Sequence, residues 1–119
     1  MPSVQATVLR WAPAVAWAGL IFVLSSFSAL GTDLGFWEYV LPKAVHIVEY
    51  AVLGFLLVWA TRREGASFLL GLAYAASDEV HQRFVEGRHG SAMDVVIDSV
   101  GLALGIYLAR RAGLSRIGD

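Results

Sequence analysis

The sequence lacks several residue types and motifs on which common protein functions depend. It contains no cysteine, which excludes disulfide bonds, thiolate metal sites and a cysteine nucleophile. It has no excess of basic charge, because 9 Lys and Arg residues are matched by 10 Asp and Glu residues and the net charge is −1. No basic surface is therefore available to neutralise a nucleic-acid backbone, and nucleic acid is excluded as a partner. Neither glycine-rich nucleotide-binding motif, G-x-x-x-x-G-K-[ST] or G-x-G-x-x-G, occurs in the chain.

Charged residues are scarce and apolar residues are abundant. The chain is 16% charged and 57% apolar, whereas soluble domains average about 25% and about 45–50%. A domain of 119 residues buries only about two-thirds of the surface of its unfolded chain, so much of this apolar content would remain in water. The mean hydropathy is +0.62, and the sequence has uncharged runs long enough to cross a bilayer. We therefore expect an integral membrane protein.

Four apolar segments predict an all-α, polytopic membrane protein with a single domain over residues 1–119. The first has 22 residues without a charge, from Trp11 to Thr32, which is enough to cross a hydrocarbon core of about 30 Å. Because signal peptides have shorter apolar runs of about 7–15 residues, we expect this segment to remain as a helix. The connections are short, so consecutive helices should be antiparallel neighbours in a compact bundle of four transmembrane helices. The predicted helices cover approximately residues 9–31, 43–61, 65–83 and 91–110.

The second and third predicted helices contain residues that are unusual inside a membrane segment. Pro42 lies at the predicted start of the second helix, where the first turn tolerates proline. The third segment has only 13 uncharged residues, from Gly65 to Ser77. It can cross a membrane only if the polar residues that follow enter the membrane with it. These residues are Asp78, Glu79, His81 and Gln82.

The distribution of cationic residues predicts the orientation in the membrane. With a cytoplasmic N-terminus, the cytoplasmic segments hold six Lys or Arg residues and the external segments hold three. Cytoplasmic loops carry an excess of these residues, so both termini are predicted to be cytoplasmic. Eight arginines to one lysine favour a bacterial source, and we expect the bacterial cytoplasmic (inner) membrane. The cytoplasmic set is Arg10, Arg62, Arg63, Arg110, Arg111 and Arg116, and the external set is Lys43, Arg83 and Arg88.

In this orientation, the polar residues of three helices all lie towards the outer end of the bundle. A charge in the acyl region costs on the order of 1–3 kcal/mol, so such groups normally face protein or a wet cavity. Their spacing of three and four residues places them on one face of each helix, above small residues that allow close packing. The faces are Lys43, His46, Tyr50 and Gly54; Gly71, Tyr74, Asp78, His81 and Gln82; and Ser91, Asp94, Asp98, Gly101 and Gly105.

These residues resemble the motifs of the VanZ-like family of small membrane proteins over about residues 11–109. The matching block Ser-Asp-Glu-x-His-Gln begins at Ser77 and is followed by Gly87-Arg88, Gly90-Ser91 and two aspartates. The family takes its name from a protein that lowers susceptibility to the glycopeptide teicoplanin. The resemblance therefore implies a role in the cell envelope and in antibiotic resistance of the teicoplanin type. The motif positions before the block are Lys43, His46, Glu49, Tyr50, Leu53 and Gly54.

The predicted outer mouth suits a negatively charged ligand. Three cations lie there, and two helices begin there with unpaired amide donors and a positive dipole end. The loop from Gly87 to Ser91 could hold a phosphate with its backbone amides. We therefore predict that the pocket binds an anionic envelope lipid or a lipid-linked cell-wall precursor. The predicted ligand-binding residues are Lys43, Glu49, Tyr50, Glu79, Gln82, Arg88, Ser91 and Asp94.

An alternative function is a membrane-embedded hydrolase or transferase that acts on a phosphate-bearing lipid. Carboxylates and imidazoles at the base of the pocket could carry out acid–base chemistry, with Asp78, His81, Asp98 and His46 as the catalytic residues. No cofactor is predicted, although the same four residues could supply nitrogen and oxygen ligands to a divalent metal. A proton-linked carrier is disfavoured, because few polar residues continue towards the cytoplasmic side.

Each candidate residue also has a purely structural interpretation. Asp94 could cap the fourth helix, since Ser91-Ala92-Met93-Asp94 has the pattern of a capping box. Lys43 could extend its ammonium group to the membrane interface. Glu49 and Glu79 lie off the main polar faces and could pair with neighbouring helices. The serines near the end of the first helix, Ser25, Ser26 and Ser28, are expected to bond back to helix carbonyls.

Overall fold

The computed structural model describes residues 3–25, 36–84 and 92–115, without the side chains of residues 36–39. Four α-helices account for nearly all of these residues, and no strand occurs among them. The all-α prediction is therefore confirmed. The helices are α1 (Val4–Ser25), α2 (Phe36–Thr61), α3 (Glu64–Arg83) and α4 (Ala92–Arg111).

Three of the four helices are long and apolar enough to cross a membrane. They are α1, α4 and the part of α2 from Val40 to Thr61. The helix α3 has 20 residues and a length of about 30 Å, but its C-terminal part carries the polar residues noted above. It packs against both α2 and α4. The molecule is thus a helical bundle with three membrane-spanning candidates, and the crossing of α3 remains a prediction.

The helix α2 begins earlier than the sequence suggests. It starts at Phe36 rather than near residue 43, so Pro42 lies inside the helix and not in its first turn. An interior proline removes one backbone hydrogen bond and usually kinks or ends a helix, which is why the sequence favoured a start beside it. Here the helix continues through Pro42, as α1 continues through Pro13.

The helices α2 and α4 run in the same direction and form the most extensive contact in the bundle. Glycines bring their backbones together. A Cβ atom on Gly101 would lie 2.6 Å from the carbonyl oxygen of Ile47, and one on Gly54 would lie 2.7 Å from that of Leu102. Gly105 is pressed against the backbone of Ala51 in the same way. The close approach predicted from the glycine spacing of the fourth helix is therefore confirmed.

The helix α1 packs on one side of the other helices and is mostly exposed. Its Trp17 indole N–H donates a hydrogen bond of 2.8 Å to the Glu49 carbonyl oxygen on α2. From α3, the Tyr74 hydroxyl donates to the carbonyl oxygen of Ala18. Trp17 and Ala18 are adjacent in α1, so the two hydrogen bonds attach α1 to α2 and α3 at one level of the bundle.

The two ends of the bundle differ in chemistry. At the end where α3 begins and α4 ends, Arg110 Nε donates to both carboxylate oxygens of Glu64 at 3.1 Å. The Ser115 hydroxyl donates to the same carboxylate at 2.8 Å. We call this end the arginine end. The opposite end is where α1 ends at Ser25, α2 and α4 begin, and α3 ends at Arg83, and we call it the polar end.

Candidate functional site

The outermost contact of the polar end joins α2 to α4. Lys43 Nζ lies 3.3 Å from Asp94 Oδ1, and both side chains are partly exposed. The two residues occupy the first turns of the predicted polar faces of their helices. The lysine ammonium is therefore engaged with a carboxylate of the protein itself, at a point accessible from outside the bundle.

One turn deeper, an imidazole and a carboxylate make a shorter contact. His46 Nδ1 lies 2.8 Å from Asp98 Oδ1, and Asp98 is only 2% exposed. This bond fixes the plane of the imidazole ring. It also uses one of the two ring nitrogens, and Nε2 has no hydrogen-bond partner among the described residues. A histidine held in this way by a carboxylate can accept or donate a proton through its second nitrogen.

A third set of contacts connects three helices. The Tyr50 hydroxyl on α2 donates to Asp78 Oδ2 on α3 at 3.0 Å, and Tyr50 is fully buried. Gln82 Nε2 lies 3.4 Å from the same carboxylate oxygen and 3.5 Å from Ser25 Oγ on α1. The polar faces predicted for the second and third helices therefore meet each other, and α1 joins them through Ser25.

The Asp78 carboxylate is only half satisfied by these contacts. Both of its donors reach Oδ2, whereas Oδ1 is buried and has no hydrogen-bond partner among the described residues. The residue as a whole is 3% exposed. Leaving a buried acceptor without a donor costs about 1–3 kcal/mol, and more for a charged group, so this oxygen is an unusual feature of the interior.

The remaining predicted residues of α3 occupy different surroundings. The His81 ring stacks on Phe22 of α1, with ring centres 4.2 Å apart and planes inclined by 11°. Glu79 accepts a hydrogen bond of 2.6 Å from Arg83, one turn further along the same helix. The structure therefore turns His81 towards α1, and it pairs Glu79 within α3 and not with a neighbouring helix.

A cleft of about 340 Å³ opens beside this site, between the end of α1 and the start of α2. It is lined by side chains of both polar and apolar character. His46 and Glu49 both lie on its wall, so the imidazole that contacts Asp98 is also accessible from the cleft. The lining residues are Leu24, Ser25, Leu41, Pro42, Val45, His46 and Glu49.

Two of the three cations predicted at the outer mouth contact carboxylates of the protein itself. The sequence suggested that lysine and arginine residues would attract an anion at the mouth. In the part of the chain that the structure describes, Lys43 contacts Asp94, and Arg83 contacts Glu79. Each of these two cations is therefore offset by a carboxylate. Arg88, Ser91 and the rest of the loop 87–91 lie outside the described residues, so their predicted contacts with a ligand remain predictions.

A metal ion held by a protein needs several side-chain ligands that converge on one point. Over residues 3–25, 36–84 and 92–115, no three His, Cys, Asp or Glu side chains converge closely enough to hold one. His46 and Asp98 are in contact, but Asp78 is directed to Tyr50 and Gln82 and His81 to Phe22. The four-residue ligand set considered from the sequence is therefore not assembled.

Sequence reasoning assigned no part of the site to α1, although Ser25 belongs to it. Ser25 was expected to bond only to its own helix, whereas its hydroxyl oxygen faces Gln82 and it lines the cleft. A signal was present, because Ser25 follows Ala14 and Ile21 at intervals of seven and four residues, and all three are buried. The signal could not be recognised in the sequence, since α1 is apolar on all sides and shows no contrast between its faces.

Comparison with known proteins places the chain in a family. No curated protein and no solved structure gave a match. A family model described as VanZ/LLP1 matches residues 4–114, which includes all four helices and every described residue of the site. This match confirms the resemblance drawn from the motifs. The chain belongs to the VanZ/LLP1 family of proteins.

Proposed function

We propose that the polar end of this membrane protein binds the polar headgroup of an envelope lipid or of a lipid-linked cell-wall precursor. The observation that carries the proposal is the Asp78 carboxylate, which is buried with one oxygen lacking a donor among the described residues. Stability alone does not explain such a group, because replacing buried charges by well-packed apolar residues is often neutral or stabilising. Retaining it is typical of a site that acts on another molecule.

The contacts around Asp78 support binding by a preorganised site. Lys43, His46 and Tyr50 of α2 each contact a different aspartate, on α4, α4 and α3 respectively. Their positions are fixed by packed helices, so little side-chain freedom remains to be lost when a ligand arrives. In the predicted orientation, the site faces the outer leaflet, where envelope lipids and wall precursors are accessible.

The sequence predicts an anionic ligand, and this part of the proposal depends on the cations and amide donors that are available at the polar end. Lys43 and Arg83 are offset by carboxylates. A phosphate would therefore be bound mainly by Arg88 and by the first amides of α4. We infer that the headgroup carries hydrogen-bond donors as well as a negative charge, because the site is rich in carboxylate acceptors.

Lipid analysis of the purified protein tests this proposal. The wild type, Asp78→Asn and Glu64→Gln are purified in the same detergent, and the lipids retained by each are identified by mass spectrometry. We expect the wild type to retain one lipid class above its share of the membrane and Asp78→Asn to lose most of that enrichment. Glu64→Gln is the matched control, because it removes a carboxylate charge at the arginine end. Identical lipid profiles for the wild type and Asp78→Asn would contradict the proposal.

A second candidate function is a hydrolase or transferase that acts on a phosphate-bearing lipid. The observation that favours it is the bond between His46 Nδ1 and Asp98, which leaves Nε2 as a general base beside the cleft. Nε2 would take the proton of an attacking water or hydroxyl group as its oxygen bonds to the phosphorus. The P–O bond to the leaving group would break, and the imidazole would return the proton to the leaving oxygen. If the protein is an enzyme, cells that express the wild type should contain a modified lipid, and His46→Ala should abolish the modification. A binding protein yields no modified lipid.

A role in resistance of the teicoplanin type follows from either function. A protein that occupies or alters a wall precursor changes the access of a glycopeptide to it. We expect expression of the wild type in a susceptible Gram-positive host to raise the inhibitory concentration of teicoplanin. Asp78→Asn, expressed at the same level, should not do so. Equal susceptibility to teicoplanin with and without expression of the wild type would contradict a role in resistance.

A further inference from the structure

The cleft between α1 and α2 has one polar wall and one apolar wall. Its volume of about 340 Å³ lies within the range of small-ligand sites, roughly 300–1,000 Å³. The polar wall consists of Ser25, His46 and Glu49, and the apolar wall includes Leu24, Leu41 and Val45. This combination is typical of a site for an amphiphile, which has a polar head and an apolar chain.

Two groups on the polar wall have hydrogen-bonding capacity that the described residues do not use. Ser25 is 4% exposed, and its hydroxyl oxygen accepts from Gln82. The hydroxyl hydrogen has no acceptor among the described residues, and buried hydroxyls normally find one. His46 contacts Asp98 through Nδ1, and its Nε2 is the atom left for a ligand. Ser25 suits an oxygen acceptor such as a phosphate or an ester, and His46 Nε2 suits a headgroup hydroxyl that donates to it.

The apolar wall opens towards the side of the bundle. Three of its side chains are more than two-fifths exposed, namely Leu24, Leu41 and Val45. All three lie within the parts of α1 and α2 that are apolar enough to cross a membrane. In a bilayer, this surface faces hydrocarbon chains and not water. A lipid can therefore reach the cleft laterally, without leaving the membrane.

We propose that this cleft is the access route and the binding site for a phosphate-bearing membrane lipid. The phosphate or ester oxygens accept a hydrogen bond from Ser25, and a headgroup hydroxyl donates to His46 Nε2. The first part of the acyl chain lies against Leu24, Leu41 and Val45. The inference rests on the proposed function and deepens it, because it names the class of ligand and assigns α1 to the site. It also makes Ser25 a ligand-contacting residue.

A matched pair of substitutions on α2 tests the cleft. Val45→Trp adds a large side chain to the wall of the cleft, whereas Val48→Trp adds the same side chain at a position that does not line the cleft. The two valines are similarly exposed, at 49% and 60%, so the substitutions are comparable in other respects. Full-length protein in detergent is titrated with dioleoyl phosphatidylglycerol, whose headgroup carries hydroxyl donors and a negative charge, and bound lipid is measured by native mass spectrometry. We expect Val45→Trp to weaken binding at least tenfold and Val48→Trp to leave it unchanged.

Two further measurements test the polar wall and the nature of the ligand. Ser25→Ala should weaken binding about 2- to 10-fold, the effect of losing one hydrogen bond. Glycerophosphoglycerol, which has the same headgroup but no acyl chain, should compete poorly. Equally strong competition would show that the site takes a free phosphate compound and would overturn the lipid assignment.

The outcomes separate this inference from the proposed function. If Val45→Trp and Val48→Trp bind the lipid equally while Asp78→Asn binds it weakly, the cleft is not the site and the proposed function stands. If the wild type binds no more lipid than Asp78→Asn, both proposals fail. A photoreactive acyl chain provides an independent test. Crosslinks should map to the end of α1 and the start of α2, and crosslinks confined to α3 and α4 would contradict the cleft.

Discussion

Replacing Gly101 by alanine should weaken the contact on which the site depends. A Cβ atom at this position would lie 2.6 Å from the carbonyl oxygen of Ile47 and 3.1 Å from Tyr50 Cβ. Real Cβ atoms almost never approach closer than 3.0 Å, and contacts become ordinary at 3.4 Å. The axes of α2 and α4 must therefore separate locally by about 0.4–0.8 Å, the difference between these distances and 2.6 Å. The obstacle is backbone, so no side-chain rotation can relieve it.

The separation should reach the functional contacts, because Gly101 lies one turn from Asp98. The His46–Asp98 contact would lengthen from 2.8 Å to about 3.2–3.6 Å, at or beyond the limit of about 3.2 Å for a good hydrogen bond. Overpacking of this kind typically costs about 1–3 kcal/mol. We expect Gly101→Ala to lower the unfolding temperature by several degrees and to reduce lipid retention at the polar end.

Thermal unfolding in detergent, followed by circular dichroism, measures the effect, with Gly19→Ala as the control. Gly19 also lies inside a helix, but a Cβ atom there would have nothing within 4 Å. That substitution should be neutral or slightly stabilising, because alanine is a better helix former than glycine. If Gly101→Ala unfolds at the same temperature as Gly19→Ala, the packing argument is refuted. If it unfolds earlier but retains lipid fully, the link between packing and the site is refuted.

Three further predictions concern other contacts and the orientation of the bundle. Tyr50→Phe removes a hydrogen bond to a carboxylate and should lower the unfolding free energy by about 1.5–3 kcal/mol. Tyr74→Phe removes a hydrogen bond to a backbone carbonyl and should lower it by about 0.5–1.5 kcal/mol. Denaturant titration measures both, and the reverse order would contradict the importance of the Asp78 contact. Arg110→Gln should change the unfolding temperature little, because Arg110 is exposed and its ion pair with Glu64 is screened by solvent, and a large loss would show that the arginine end determines stability. Reporter fusions at both termini should be active only as cytoplasmic reporters, and a signal from the external side would reverse the predicted orientation.

The helices and their polar faces could be predicted from the sequence because both depend on local patterns. Long uncharged runs predicted the membrane segments, and intervals of three and four residues predicted that His46 and Tyr50 share a face, as do Asp98 and Gly101. These patterns are determined by helix geometry, which is the same in every fold. The early start of α2 was missed because Pro42 is a strong local signal, and the chain before it gives little contrast between helix and loop.

The partners across the bundle could not be predicted in the same way. The sequence offers several carboxylates as partners for His46, and the spacing within α2 is compatible with all of them. Asp98 is the partner because the rotation and axial offset of α4 against α2 are determined by the backbone contacts of Gly54, Gly101 and Gly105. Such contacts join residues about 50 positions apart, and no local pattern contains that information.

The sequence by itself therefore indicated that this protein lies in a membrane, which segments form its helices, and at which end of the bundle the polar faces meet. These properties depend on composition and on the period of a helix, and both can be read from neighbouring residues. Only the tertiary structure decided that Asp78 has a buried oxygen without a donor among the described residues, and that Ser25 of α1 lies beside His46 on the wall of one cleft. The physical reason is that these features depend on how far apart, and at what rotation, separate helices pack.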